Sequence, residues 1–440
     1  MKIAVDVMGG DLAPKAAVEG AVRAAADFAI ETILVGDRAA IEAELKQLDT
    51  ANLPLTIEHA AEVVKMDDSP LESVLTKPES SIHVGLELVH KGAADAFVSA
   101  GNSGAVMAAA MAILGSLPGI DRPAIASTVP TTTGLSLLID AGANTDVKAI
   151  NLMQFGVMGS VYWKHVAKMP APRVAILSNG EEESKGTDNT RHAAAMLKKL
   201  APTINYVGYV EGRDINRARA DVVVTDGFTG NVALKTMEGF AAFLIGSLRE
   251  VFEGSLLRKF AFLLIRKKLR ALRTRLDPSE YGGAPLLGVN GVTMIAHGSS
   301  SAHAIRNAIR AAADEALVRN VNAEIIEVLA QAVPDQAAAQ PAPNKGLRGL
   351  FLKMRERLHH RTGSIRDKRP EHPADSERDG ATHSSLPAQA PGVAREGDAL
   401  APNDGVAAPA VSGANGVADN ALPAVEGAHE SSEQSTKHHS

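Results

Sequence analysis

The chain of 440 residues contains no cysteine. Disulfide bonds, thiolate nucleophiles and cysteine-ligated metals are therefore excluded together. Aromatic residues make up only 3% of the chain, and Trp163 is its one tryptophan. A core composed mainly of Ala, Val, Leu and Ile favours parallel strands covered by helices over a barrel or a sandwich of sheets.

Long apolar segments and a secretory leader are also absent from the sequence. The longest unbroken apolar run, residues 105–114, is far shorter than the roughly 20 residues that a helix needs to cross a bilayer. Residues 1–7 enter a strand pattern directly, without a charged region or a cleavage site. We therefore expect a cytoplasmic protein that meets a membrane only at its surface. The net charge of −6 gives no support for nucleic-acid binding.

Short apolar runs typical of strands alternate with helical patterns from the first residue. The predicted strands are residues 3–7, 32–35, 55–59, 96–99, 136–140, 173–177, 205–210, 221–225 and 292–296. Alternation of this kind favours βαβ units and a mostly parallel sheet with helices on both faces. We predict a three-layer α/β/α sandwich with a Rossmann-like sheet, followed by a helical extension.

The helical extension is predicted over residues 239–277, and it is strongly basic. Apolar residues three or four positions apart form one stripe: Leu257, Ala261, Ile265, Leu269, Leu272 and Leu276. Eight Lys and Arg residues, with no acid among them, lie between Leu256 and Leu276. The pattern is typical of a helix that contacts an anionic membrane or an acidic partner. It also fits a helix whose stripe packs in a core or a dimer interface.

The predicted contacts of this extension with a membrane or partner are Leu257, Phe260, Leu264, Arg266, Lys267 and Lys268. We predict that residues 1–333 form the α/β domain, because the composition changes to Ala, Pro, Gly, Ser and His after Val333. Residues 334–440 are predicted to form a disordered tail. One apolar and basic island within it predicts a short amphipathic helix over residues 346–360, and such a helix is marginal alone in water.

Two distant stretches have the same order: an apolar strand, a glycine-bearing turn with an Asn, and a helix start. The first turn contains Gly101, Asn102, Ser103 and Gly104, and the second contains Asp226, Gly227 and Asn231. Amide N–H groups at such a turn and at the start of a helix can bind an anion, most often a phosphate. The two stretches therefore predict a protein that binds phosphate or a phosphorylated group.

Further candidate residues follow other predicted strands. Gly9, Gly10 and Asp11 follow the first strand, where open α/β sheets place their ligands. No G-x-G-x-x-G fingerprint occurs there, which disfavours a nicotinamide enzyme. Positive charge for a phosphate is available from Lys185, beside Gly186, and from Lys235, one helical turn after Asn231. His297 and Gly298 follow the last predicted strand, where a histidine can transfer a proton.

Two other interpretations stay open from the residues alone. The turn at residues 101–105 nearly matches the G-x-S-x-G nucleophile elbow, so a serine thioesterase or hydrolase could use Ser103 with His297 and Asp226. Ser103 could equally be no more than the cap of the following helix. The glycine-rich apolar segment 281–291 is predicted to be a loop that lies close against a long, thin ligand such as an acyl chain.

Six motifs, in this order along the chain, resemble those of one known family: DVMGGD at 6–11, SAGNSGA at 99–105, EESKG at 182–186, TDGFTGNVALK at 225–235, YGGAPLLGVNG at 281–291 and AHGSS at 296–300. The resemblance is to the acyl-acyl-carrier-protein:phosphate acyltransferases of bacterial phospholipid synthesis, the PlsX family. It covers about residues 1–330. It implies a fold similar to that of phosphate acetyltransferases and isopropylmalate dehydrogenases.

The resemblance implies reversible transfer of a fatty acyl group from acyl carrier protein to inorganic phosphate, without a metal or a cofactor. Lys185, Asn231 and His297 are then the candidate catalytic residues. The phosphate or substrate contacts are Gly9, Gly10, Asp11, Asn102, Ser103, Gly104, Gly186, Asp226, Gly227, Lys235 and Gly298. The resemblance also implies a homodimer at the membrane surface and a downstream glycerol-3-phosphate acyltransferase. A third interpretation is a non-catalytic membrane-surface scaffold that binds the carrier protein.

Overall fold

The computed structural model describes residues 1–252, 256–318 and 320–332. For residues 256, 257, 259–261 and 278 it describes the backbone only. The predicted tail at 334–440, its predicted helix at 346–360 and the side chains of Leu257 and Phe260 lie outside this description.

Strands and helices alternate along most of the described chain. The strands are β1 (Lys2–Asp6), β2 (Glu31–Gly36), β3 (Leu55–His59), β4 (Ala96–Ser99), β5 (Ala124–Pro130), β6 (Leu135–Ile139), β7 (Val174–Leu177), β8 (Tyr206–Val210), β9 (Val222–Val224), β10 (Ala284–Leu287) and β11 (Val292–Ile295). The helices are α1 (Lys15–Phe28), α2 (Arg38–Leu45), α3 (Pro70–Thr76), α4 (Ser81–His90), α5 (Ser103–Ile113), α6 (Ala149–Val166), α7 (Asp188–Lys199), α8 (Gly227–Phe252), α9 (Leu256–Leu276), α10 (Ala302–Leu317) and α11 (Val321–Ala332). Short 3-10 helices occur at Gly212–Arg217 and Pro278–Glu280.

The strands form one sheet in the order β3-β2-β1-β4-β11-β10-β5-β6-β9-β7-β8. The first five strands in this order are mutually parallel, and so are the last four. Between these two halves, β10 and β5 pair antiparallel with each other and with their outer neighbours. Three reversals of direction make the two parallel halves run in opposite directions.

Helices cover both faces of each half, which confirms the predicted α/β/α sandwich. In the first half, α1 and α10 pack on one face around Ile3 and Val5, whereas α4 and α5 pack on the other around Ala4 and Phe97. In the second half, α6, α7 and α11 pack on one face. The first turns of α8 pack on the other face through Ala233, Leu234 and Met237.

All nine predicted strands are present, and none of their ends differs from the prediction by more than one residue. The sequence-based prediction missed β5 and β10, the two antiparallel strands at the centre of the sheet. The prediction that 281–291 forms a loop is therefore wrong for Ala284–Leu287. Pro285 and the flanking glycines are unfavourable in strands, so the local sequence does not predict β10. Its strand geometry comes from pairing with β5 and β11.

The helix predicted after the second glycine-bearing turn begins within that turn, at Gly227, and α8 continues without a break into the extension predicted from residue 239. Beyond its contacts with the sheet, α8 exposes Phe240, Phe243 and Val251, and α9 exposes Leu264 to 72%. The end of α9 is held to the sheet because the Arg275 guanidinium donates to the carbonyl of Thr131. In the described part of the chain, no helix is both long enough and apolar enough to cross a membrane.

Candidate active site

A first cluster of predicted site residues lies at the carboxyl ends of β1, β4 and β11, which are neighbours in the sheet. The amide of Asp11 donates to the carbonyl of Gly298 at 2.8 Å. A Cβ on Gly10 would lie 2.9 Å from that same carbonyl oxygen, and a Cβ on Gly9 would lie 2.7 Å from the amide nitrogen of Gly101. Only glycine permits these close contacts, so the three strand ends form one tightly packed cluster.

The Asp6 carboxylate connects the ends of β1 and β4 in this first cluster through hydrogen bonds. Its Oδ2 accepts from the Ser99 hydroxyl at 2.7 Å, and its Oδ1 accepts from the Met8 amide at 3.1 Å. The Ser99 hydroxyl oxygen also accepts from the Gly101 amide at 3.0 Å. Burial raises the pKa of Asp6, and the surrounding hydrogen bonds oppose that rise.

At the start of α5, the cap is Asn102 and not Ser103, so the interpretation of Ser103 as the cap is wrong. The Asn102 Oδ1 accepts from the Ala105 amide at 3.1 Å, and its Nδ2 donates to the carbonyls of Met66 and Asp68 at 3.1 and 3.0 Å. The Asn102 side chain is thus committed to the fold. Ser103 is exposed. Within the described residues, the amides of Ser103 and Gly104 have no hydrogen-bond partner, which leaves two donors at a helix start for an anion.

His297 projects from the end of β11 and interacts with Ser299. The Ser299 amide donates to His297 Nδ1 at 3.2 Å, and the Ser299 hydroxyl lies 2.8 Å from the same nitrogen. Because an amide N–H can only donate, Nδ1 must accept, and neutral His297 carries its proton on Nε2. The structure does not assemble the hydrolase triad: Asp226 instead accepts from the Thr229 amide and hydroxyl at 2.8 and 2.7 Å.

A second cluster lies at the carboxyl ends of β6 and β9, which are neighbours in the other half of the sheet. It consists of Asp226, Gly227 and Asn231 from the start of α8 and the loop 140–144 that follows β6. The Gly227 amide donates to the Asn144 carbonyl at 2.7 Å. Gly142 lies beside the Asn231 side chain, since a Cβ on Gly142 would be in van der Waals contact with the Asn231 Cγ at 3.6 Å. The loop therefore forms one wall against Asn231.

The predicted lysines lie beside the second cluster. Lys185 is exposed in the loop after β7, and the adjacent Gly186 donates its amide to Asn179 Oδ1 at 3.0 Å with a φ of +82°. The helix α7 that follows this loop is held near the start of α6, because the Asn189 side-chain amide donates to the Val147 carbonyl at 3.0 Å. Lys235 is exposed on α8, one turn after Asn231. In the residues that the structure describes, neither lysine forms an ion pair, so both charges are available to an anion.

The two clusters border one apolar layer. Ala105 and Val106 of α5 belong to the same buried group of side chains as Ala141, which follows β6. Ala143 and Leu234 pack against that group from the side of the second cluster. No hydrogen bond connects the two clusters within the described ranges, so they are related through apolar contacts. The layer between the two clusters is packed interior, because Ala105 and Val106 are fully buried.

Four residues that support the clusters were not selected from the sequence: Asp6, Ser99, Asp140 and Asn144. The signal for the last two was present, because Asp140 follows an apolar strand and precedes Gly142 and Asn144. This is the same order of strand, glycine and Asn that selected the other two turns. Within the described residues no group of three or more His, Asp or Glu side chains could hold a metal ion.

The fold and these clusters define an α/β protein with its candidate site at strand ends and helix starts. A family model described as "Fatty acid synthesis protein" matches residues 1–324. A phosphate acyltransferase of Citrifermentans bemidjiense is 49% identical over 349 residues, which are 79% of this chain and 98% of that protein. A phosphate acyltransferase of Geobacter sulfurreducens is 50% identical, over 74% of this chain and 94% of that protein. The chain therefore belongs to the fatty acid synthesis protein family, and it is an acyltransferase.

Among solved structures, a phosphotransacetylase from Streptococcus pyogenes is 21% identical to this chain. The match covers 72% of this chain and 94% of that one, with a TM-score of 0.49.

Proposed function

We propose that the protein transfers a fatty acyl group reversibly from acyl carrier protein to inorganic phosphate. The product is an acyl phosphate that a downstream glycerol-3-phosphate acyltransferase uses for phosphatidic acid synthesis. The observation that carries this proposal is the pair of free amides at the start of α5, beside strand ends that glycines pack closely together. N–H donors at a helix start suit a phosphate, and the phosphate acyltransferase of Citrifermentans bemidjiense is 49% identical to this chain.

The chemistry requires positioning more than activation. Phosphate near neutral pH is already partly dianionic, and one of its oxygens attacks the thioester carbonyl carbon without a nucleophile from the protein. The tetrahedral intermediate then expels the thiolate, and the carbon–sulfur bond breaks as the carbon–oxygen bond to phosphate is retained. The proton of the hydrogen phosphate ends on the sulfur. An enzyme accelerates such a step by holding both reactants and by donating hydrogen bonds to the developing oxyanion.

Roles for the candidate residues follow from their free donors. The amides of Ser103 and Gly104, at the start of α5, bind phosphate or the oxyanion, as does the Asn231 side chain. Lys185 and Lys235 supply positive charge, since neither forms an ion pair within the described chain. Neutral His297 carries its proton on Nε2, which supports a hydrogen bond to the leaving sulfur while that sulfur takes the proton of the hydrogen phosphate. Gly9, Gly10 and Gly298 allow the close backbone packing around the site.

An assay with two arms tests this function. Acyl transfer from acyl carrier protein is followed with and without inorganic phosphate, and the products are identified by mass. We expect acyl phosphate only in the arm with phosphate. Free fatty acid at the same rate in both arms would support the serine thioesterase, and binding of the carrier without turnover would support the scaffold.

The basic α9 and the exposed apolar side chains of α8 and α9 support contact with an anionic membrane, an acidic carrier protein or a second copy of the chain. We propose peripheral binding to anionic membranes, with a homodimer as the working assembly. Leu264→Glu should weaken binding to anionic vesicles and spare turnover in solution. Leu317→Glu is the matched control, because Leu317 is similarly exposed on α10. Equal vesicle binding by wild type and Leu264→Glu would contradict the membrane role.

A further inference from the structure

The Asp140 carboxylate is the most heavily hydrogen-bonded side chain around the second cluster, and the proposed chemistry does not use it. It is fully buried at the end of β6. Its Oδ1 accepts from the amides of Ile125, Gly142 and Ala143 at 3.1, 3.1 and 2.9 Å. Its Oδ2 accepts from the Asn144 amide at 2.7 Å and from Asn144 Nδ2 at 2.8 Å. The loop 140–144 is therefore wrapped around this one carboxylate.

All five hydrogen bonds come from N–H donors, so they require acceptor oxygens on Asp140. The ionised carboxylate offers only acceptors and satisfies every donor. A protonated or amide side chain would bring a donor of its own against at least one N–H group. The carboxylate therefore sets the conformation of the loop through its charge as well as its shape.

The loop in turn sets the position of α8. A Cβ on Gly230 would overlap the carbonyl oxygen of Asp140, and a Cβ on Gly227 would lie 2.9 Å from Asp140 Oδ2. The Gly227 amide donates to Asn144, and Gly142 packs against the Asn231 side chain. The first turn of α8 is thus in direct backbone contact with the loop. A shift of this loop would move Asn231.

We propose that Asp140 is a positioning residue that fixes Asn231 for acyl transfer to phosphate by holding the loop 140–144 against the first turn of α8. The proposal rests on the proposed function. It assigns to Asp140 no contact with the substrate. Burying a carboxylate costs free energy, and a well-packed apolar side chain at the same place is often at least as stabilising. Stability alone therefore does not explain Asp140, whereas the positioning of a site residue does.

A double-mutant cycle on the full chain tests the proposal through kcat and the KM for phosphate. Asn231→Ala alone should lower kcat/KM by about 100-fold, as loss of one oxyanion donor does. Asp140→Asn alone should lower it by a similar factor of about 100, since small misplacements of a site residue are that costly. In the Asn231→Ala background, Asp140→Asn should cost less than about threefold, because the residue that it positions is already gone.

Two further variants keep the test decisive. Asn144→Ala removes one donor to Asp140 and leaves the backbone amide, so it should give a smaller loss that is also absent in the Asn231→Ala background. Asp6→Asn, in the other half of the sheet, is the matched control, and its factor should multiply with that of Asn231→Ala. Melting temperatures show that each variant is folded at the assay temperature.

The outcomes separate the proposal from the function on which it rests. If the wild-type protein forms no acyl phosphate, the proposed function fails. If it does, but the losses from Asp140→Asn or Asn144→Ala multiply with that of Asn231→Ala, Asp140 does not act through Asn231. If Asn231→Ala is as active as wild type, Asp140 has no site residue to position, and the proposal is overturned while the activity stands.

Discussion

The two halves of the sheet each place a buried aspartate at the end of a strand, but the two side chains have different partners. Asp6 accepts from the Ser99 hydroxyl and the Met8 amide, whereas the partners of Asp140 are all N–H groups. A hydroxyl can turn from donor to acceptor, so the Asp6 site can accommodate a proton or an amide. The Asp140 site cannot do so without losing a hydrogen bond. The side chain at position 140 is therefore more strictly specified than the side chain at position 6.

Gly230→Ala should have the largest effect, because it removes the contact between α8 and the Asp140 loop. The new Cβ would overlap a backbone carbonyl that five hydrogen bonds hold nearby, so we expect a loss of about 4 kcal/mol in the free energy of unfolding. Chemical denaturation measures it. Gly239→Ala in the same helix is the control: its Cβ meets open space, and it should stabilise by about 0.5 to 1 kcal/mol. Equal effects of the two changes would refute the close contact.

Replacing each aspartate by asparagine tests the comparison directly. Asp140→Asn should lower the free energy of unfolding by about 3 kcal/mol, because at least one buried N–H group then faces another donor. Asp6→Asn should cost about 1 kcal/mol, since the Ser99 hydroxyl can accept from the new amide. Urea denaturation of both variants at neutral pH measures the difference. The comparison would be broken if Asp6→Asn proved the more costly change.

Glu315 is a third buried carboxylate, and among the residues that the structure describes its Oε2 has no hydrogen-bond partner. It borders a cavity of about 90 Å³ between α10, α11, β10 and β11, and burial raises its pKa to about 8. The folded state thus keeps the proton while the unfolded state releases it near its ordinary pKa of 4.5. Stability should therefore fall as the pH rises from about 4.5 to about 8, and the loss should be complete above that.

Glu315→Gln removes this ionisation. The variant should show a flatter stability profile and be about 2 kcal/mol more stable than wild type at pH 9, since each pKa unit corresponds to about 1.4 kcal/mol and relaxation around an ionised buried carboxylate reduces the full penalty. Denaturation at pH 5 and pH 9 measures both chains. Parallel profiles of variant and wild type would show that Glu315 ionises normally in the folded state.

Ser299→Ala should have the smallest effect. It removes the hydroxyl near His297 Nδ1 and keeps the Ser299 amide, which still fixes the tautomer. We expect a loss of about threefold in kcat/KM, against about 100-fold for His297→Ala, as is typical for loss of one hydrogen-bond donor to developing charge. Steady-state kinetics at several pH values distinguish the two. Equal losses would mean that the hydroxyl, and not the amide, orients the ring.

Local sequence signals were sufficient for the parallel parts of the fold. Strands such as Leu55–His59 and Ala96–Ser99 were predicted to the residue, because apolar runs bounded by turns specify buried strands locally. The start of α8 at Gly227 was misplaced, since Gly227 and Gly230 are unfavourable in an isolated helix. A tertiary contact explains both glycines, because a side chain at either position would clash with Asp140.

The sequence by itself determined the alternation of strands and helices, the motifs of the family and the candidate residues, because each depends on neighbours along the chain. Only the tertiary structure decided that the sheet reverses direction at β10 and β5, since antiparallel pairing of a strand with Pro285 depends on partners far away in sequence. It also decided that Asn102 is used by the fold. It joined Asp140 to Asn231 across more than 90 residues, because a buried carboxylate takes its donors from whichever backbone packs around it.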